Sequence, residues 1–178
     1  MMEMNTCFRI LVIASLPFCT TDLHAQSKKD FMAIRQVLDD ETLSWNKKDA
    51  KMYASHFSEN GTFTNVLGMF FTGYDHFLKM HEHVFKTMFR GTVMQQQLVS
   101  IQFAGETIAV VETITTISDF SADGPPKGTS LDSKGSLNTR LLQTMLRSGS
   151  DWKIIAYHNV DIKAGIPVPQ SKQSTDHE

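Results

Sequence analysis

Two histidines offer the best chemistry in this sequence, His81 in a helix-like segment and His158 near the end of a strand-like one. A neutral imidazole, with a pKa near about 6.5, can both give and take a proton, so two of them facing one cavity would serve as base and acid. For each, the alternative is a hydrogen-bonded core histidine with a purely structural task. His158 closes one face of the run Asp151–Asn159, in which a period of two puts Trp152, Ile154, Ala156 and His158 on one side and Lys153, Ile155, Tyr157 and Asn159 on the other. A polar side chain closing an apolar row is the pattern of a pocket floor. His81 lies among Phe77, Met80, Val84 or Phe85, and Met88, the apolar positions of a helix expected over Tyr74 to about Phe89, and so points inward.

The neighbouring His83 does not turn His81 into a metal site. Residues two apart on a helix diverge, whereas the zinc-protease pair needs a spacing of four, so no metal is expected. His76, Met80 and His83 share a side and, with Lys79 beside them, read as a solvated flank. Arg140, mid-strand among Leu141, Leu142 and Met145, could fork onto an anionic ligand or pair with a carboxylate on the next strand. Glu112 and Asp119 fall on opposite faces of one strand by parity, which makes them a poor acid/base pair. Trp45, Tyr53, Phe57 and Trp152 could line a pocket or belong to the ordinary core. The chain has no Gly-x-Ser-x-Gly elbow, phosphate-cradling loop or dinucleotide fingerprint, and no cofactor is expected.

The elements that must position these residues begin with an amphipathic helix from Ser27. Phe31, Ile34, Val37 or Leu38, Glu41 or Thr42, and Trp45 recur on one side, with Lys28, Lys29, Asp30, Arg35, Asp39 and Asp40 on the other. A short helix capped by Asp49 should run to Phe57, followed by a turn at Ser58-Glu59-Asn60-Gly61 and short strands over Thr62–Leu67 and Met69–Phe71. After the helix that carries His81, four β-rich runs follow: Gln97–Phe103, Thr107–Phe120, Leu137–Arg147 and Trp152–Ile162. Between the second and third of them, Ser121–Ser136 is rich in Gly, Pro and Ser and must be a loop. Helices first and consecutive strands afterwards predict an α+β fold with a curved, mostly antiparallel sheet wrapped around three N-terminal helices and a cavity between them.

The order and spacing of Trp45, Tyr53–Phe63, Gly73, His81, Val84–Gly91, Arg140 and Trp152–Ile154 through His158-Asn159 resemble the SgcJ/EcaC family. That family is part of the SnoaL-like branch of the nuclear-transport-factor-two-like, cone-shaped α+β superfamily. The resemblance implies the cone fold over residues 26–166 and a cavity lined at His81 and His158. It also suggests steroid-isomerase-like proton transfer, but the position matching the isomerase aspartate is Asn65, and an amide cannot act as a general base near neutral pH. The expectation is therefore binding of a small apolar or aromatic molecule, oriented by His81, His158, Asn65 and Arg140. The alternatives are a cofactor-independent isomerase, cyclase or hydratase, and a homodimeric association module using the sheet face around Ile155 and Tyr157.

Composition narrows the setting. Of 178 residues, 41% are hydrophobic and 20% charged, with a net charge of -2, so the chain suits one globular domain and offers no field for nucleic acid. Met1–Arg9, the short apolar run Ile10–Phe18 and Leu23-His24-Ala25 read as a signal peptide over 1–25, too short in its apolar part to span a bilayer of roughly 30 Å. Leu16-Pro17-Phe18-Cys19 has the leucine and cysteine of a lipid-attachment box, against which the bulky Phe18 argues. Cys7 and Cys19, the two cysteines, both fall in this leader, so the mature chain would hold no thiol, as suits a periplasmic or secreted protein. No membrane association is expected after cleavage, and residues 167–178 form a polar tail.

Overall fold

The computed structural model describes residues 21–122 and 124–167, with side chains from Lys28 onward. Most of the expected leader, and the tail from 168, lie outside the described residues. Helix α1 spans Thr21–Lys47, α2 Ala50–Ala54 and α3 Tyr74–Lys86; the strands are β1 Phe57–Thr64, β2 Phe70–Thr72, β3 Val93–Phe103, β4 Ile108–Ser118, β5 Leu137–Ser148 and β6 Asp151–Asp161. They form one six-stranded sheet in the order β2-β1-β6-β5-β4-β3. Neighbours pair antiparallel except β1 and β6, which run parallel. The helices pack on one face of this curved sheet, and the α+β architecture is the expected one.

Burial on α1 follows the expected stripe from Ile34 to Trp45 and departs from it only at the first position, where Asp30 replaces Phe31. Asp30, Ile34, Val37, Leu38, Glu41 and Trp45 face the sheet, while Phe31 is 38% exposed. Asp30 turns inward because it finds partners there: it pairs with the Arg147 guanidinium and accepts from Trp152 Nε1 at 3.3 Å. A carboxylate can be buried when paired in this way, and here it ties the first half of α1 to β5 and β6.

Asp49 caps α2, accepting from Met52 N at 3.0 Å. Ser58–Gly61 is not a free turn but part of β1, which is irregular here: Phe57 pairs with Ile154 and Thr62 with Ala156, so the intervening residues bulge. The Phe57 ring folds over Gly61, where a Cβ would stand only 2.7 Å from it, so glycine is what the bulge admits. Phe57 then stacks on Phe77 of α3 with centroids 4.0 Å apart. Gly73, at φ 89°, opens α3, and its N–H donates to Gly61 O at 2.8 Å.

The most consequential irregularity is a bulge in β6. Met145 pairs with Ile154 but Thr144 pairs with Ala156, so Ile155 is an extra residue and the alternation inverts beyond it. Trp152 and Ile154 face inward as expected, but Tyr157 and Asn159 follow them, and His158 comes to the outer face opposite Leu142.

Candidate functional site

A cavity of about 290 Å³ lies between α3, the β1–β2 turn, the inner faces of β4 to β6 and the loop carrying Pro126. Its walls are largely apolar and sulfur-rich, with Phe63, Met80, Val84, Met88, Met94 and Ile117 among them. Local sequence explains the enclosure. The amphipathic α3 presents Met80 and Val84 one turn apart, Met88 follows in the turn after the helix, and the strand period aims Ile117 and Leu137 at them.

His81 stands in this wall, 7% exposed, with its ring 4.6 Å from that of Tyr53 and 4.3 Å from that of Phe77, centroid to centroid. Its Nδ1 lies 2.7 Å from Phe77 O, an acceptor, so Nδ1 carries the proton and Nε2 the lone pair. Burial pulls the imidazole down from 6.5 to about 4, the Phe77 carbonyl opposing. His81 is accordingly a neutral acceptor at physiological pH, and a weak base.

The Tyr53 and Tyr157 hydroxyls meet at 2.9 Å on the same wall, and burial raises both far above the ordinary phenol range. Behind them, outside the cavity lining, lies Glu41, 1% exposed. It accepts from Gln143 Nε2 at 2.6 Å and from Gln96 Nε2 at 3.3 Å. Burial pushes its carboxyl up from 4.5 to about 7, while the two amides pull it down.

The expected site residues divide cleanly. Trp45, Tyr53, Asn65 and His81 line the cavity. Asn65 does so as a turn former, its Oδ1 accepting from Leu67 N and Met69 N, each at 3.0 Å. Phe57 and Trp152 are buried in the adjoining aromatic core and do not reach the cavity. Arg140 and His158 lie on the outer face of the sheet: Arg140 pairs with Glu112 of β4, and the bulge at Ile155 has turned His158 out. The two histidines are thus on opposite sides of the sheet and cannot act on one molecule. His83, expected on a solvated flank, and Met80, read both there and on the apolar face of α3, belong to the cavity and its mouth.

Sequence reasoning missed Tyr157, Asn159, Thr115 and Thr139 as lining residues. For the first two the signal was hidden by the bulge; for the threonines, parity with Ile117 and Leu137 would have found them. Among the described residues, no three His, Cys, Asp or Glu side chains are placed to hold a metal.

Solved structures define the class to which this arrangement belongs. The chain is similar to a putative scytalone dehydratase from Novosphingobium aromaticivorans, at 19% identity and TM-score 0.66 over 87% of this chain and 99% of that one. It is similar to a type 2 hexachlorocyclohexane dehydrochlorinase, at 13% identity and TM-score 0.65 over 84% and 99%. It also resembles an NTF-2-like protein of unknown function from Shewanella oneidensis, at 16% identity and TM-score 0.59 over 74% and 99%. At these identities the likeness is one of fold: the chain has the nuclear-transport-factor-two-like cone. No protein-family model matches the sequence, and no curated protein matches it.

Proposed function

We propose that this chain is an exported SnoaL-like domain that binds a compact apolar or aromatic molecule in its cone cavity. The observation that carries this reading is the cavity itself, about 290 Å³ with mainly apolar walls and a neutral, buried His81 offering Nε2. Apolar concavities with a few placed polar groups are the usual form of small-molecule sites. Dehydratase and dehydrochlorinase neighbours of the same fold agree with it, as does the resemblance to the SgcJ/EcaC family.

The test is native mass spectrometry of protein purified from its own compartment, with a Met80→Trp variant that fills the cavity. A small-molecule adduct on the native chain and its loss from the variant are expected; no adduct, or one that persists in the filled variant, would sink the reading. A mature N-terminus at Gln26 in the same spectrum is the expected mark of export with leader removal. An enzymatic reading as isomerase, cyclase or hydratase must now run on His81 alone, and its pH–rate profile would follow a group titrating near 4.

A homodimer is the second association we propose, on a separate observation. Leu142, Leu146 and Val160, 44%, 39% and 60% exposed, lie on the outer sheet face, which a second copy would cover. Sedimentation of Leu142→Lys/Val160→Lys against the native chain should show dimer turning to monomer. A native chain that is already monomeric would refute it.

A further inference from the structure

The inner faces of β4, β5 and β6 present a polar row at the cavity that neither the core nor the turns require. In register, Thr115 lies opposite Thr139 and Thr139 opposite Asp161, with Asn159 on the same face of β6. Thr115 and Thr139 are 4% and 1% exposed. Their Oγ1 atoms, together with Asn159 Oδ1 and Asp161 Oδ1, are buried without a hydrogen-bond partner among the described residues. Thr115, Thr139 and Asn159 line the cavity.

Such atoms are rare in folded proteins because leaving them unpaired is costly, and the strand geometry limits local rearrangement here. The strand fixes the direction of each Cβ, and the β-branched threonines are stiff at χ1. A molecule that enters the cavity, ligand or water, is placed to complete those of Thr115, Thr139 and Asn159. A hydrocarbon would leave them unpaired, and a carboxylate, which only accepts, would leave Asn159 Oδ1 without a donor. A hydroxyl both donates and accepts, so it can give its proton to Asn159 Oδ1 while taking one from a threonine.

We infer that Thr115, Thr139 and Asn159 form a hydroxyl-recognising subsite, so that the cavity selects alcohols or phenols on a compact apolar skeleton; this rests on the small-molecule reading of the same cavity. Water is the competitor, and it fixes the form of the test. Naphthalene and 2-naphthol, which differ by one hydroxyl, are titrated into the full chain and into Thr115→Val/Thr139→Val, with thermal unfolding as the check on folding.

The native chain should prefer 2-naphthol by at least about tenfold, and the double variant should lose that preference while holding naphthalene as before. Equal affinities in the native chain, or a preference that survives in the double variant, would overturn the subsite and leave the apolar cavity standing. Binding of neither probe would overturn the cavity reading, and the subsite with it. The single variants Thr115→Val and Thr139→Val, each expected to lose part of the preference, keep the test decisive if the double variant does not fold.

Discussion

The interior of this cone holds two polar groups on one face of the sheet, and they are finished in opposite ways. Around Glu41 the side chains are joined to one another: both carboxyl oxygens accept an amide, Gln96 Nε2 also reaches Thr113 Oγ1 at 3.1 Å, and Thr42 Oγ1 lies 3.3 Å from Gln96 Oε1. Among the described residues only Gln143 Oε1 is left over there. Around Thr139, by contrast, the hydroxyls and amide oxygen that face the cavity are unpartnered among the described residues. A connected cluster holds elements together, here α1 to β3 and β5; an unfinished one has capacity to spare for something else.

If the Glu41 cluster is structural, cutting it should have the largest effect of any change in this interior. Glu41→Ala strands the Gln143 amide, takes one of two acceptors from Gln96 and opens a void under α1, and a loss of about 4 kcal/mol is expected in urea unfolding with the m-value unchanged. A loss below about 1 kcal/mol would show that the cluster is no better tied than the row at Thr139, and the contrast would fail.

The same cluster predicts an unusual pH response, because Glu41 and His81 titrate in opposite senses. Glu41 keeps its proton to about 7 in the folded chain against an ordinary 4.5, so the folded state binds more protons between these values. Its contribution is present below pH 4.5 and is lost as pH rises through 7, a change of about 3 kcal/mol. His81 is held down to about 4 against an ordinary 6.5, so the unfolded chain binds more protons in between. Its contribution is full above pH 6.5 and is lost as pH falls through 4, again by about 3 kcal/mol.

From pH 4.5 to 6.5 the two slopes oppose one another, and the native chain should be nearly flat in stability. Glu41→Gln should expose a rise with pH over that window, and His81→Gln a fall. Flat profiles in both variants would mean that neither side chain is as buried as its packing implies.

How much of this could be read beforehand depended on whether a periodic rule ran unbroken. The helices, the four long strands and the loop at Ser121–Ser136 were legible because amphipathic and alternating patterns persisted over whole elements. His81 could be placed inside for the same reason. His158 could not be placed, because one extra residue at Ile155 inverts a strand and nothing in Lys153-Ile154-Ile155-Ala156 marks where the bulge falls. Glu41 was seen on the apolar stripe of α1 and passed over, since a lone carboxylate among apolar residues discloses its role only when Gln96 and Gln143 arrive from strands more than fifty residues away. Asp30 was set on the wrong side of the same helix because Arg147 and Trp152 could not be foreseen as its partners.

The smallest expected effect bears most directly on the contrast. Thr139→Val removes a hydroxyl that has no partner and keeps nearly the same shape, so the empty chain should lose nothing in thermal unfolding and should gain up to about 1 kcal/mol. Gln143→Leu, four residues along β5 on the same face, removes a donor that Glu41 uses and should cost about 2 kcal/mol. Both residues are polar, fully buried and on β5, so composition and depth give no reason for their costs to differ. A substantial loss for Thr139→Val in the ligand-free chain would mean that bound water already completes the row, and the two polar groups would then be alike. A neutral or stabilising result would leave ligand binding as the reason to keep an unpaired hydroxyl at that position.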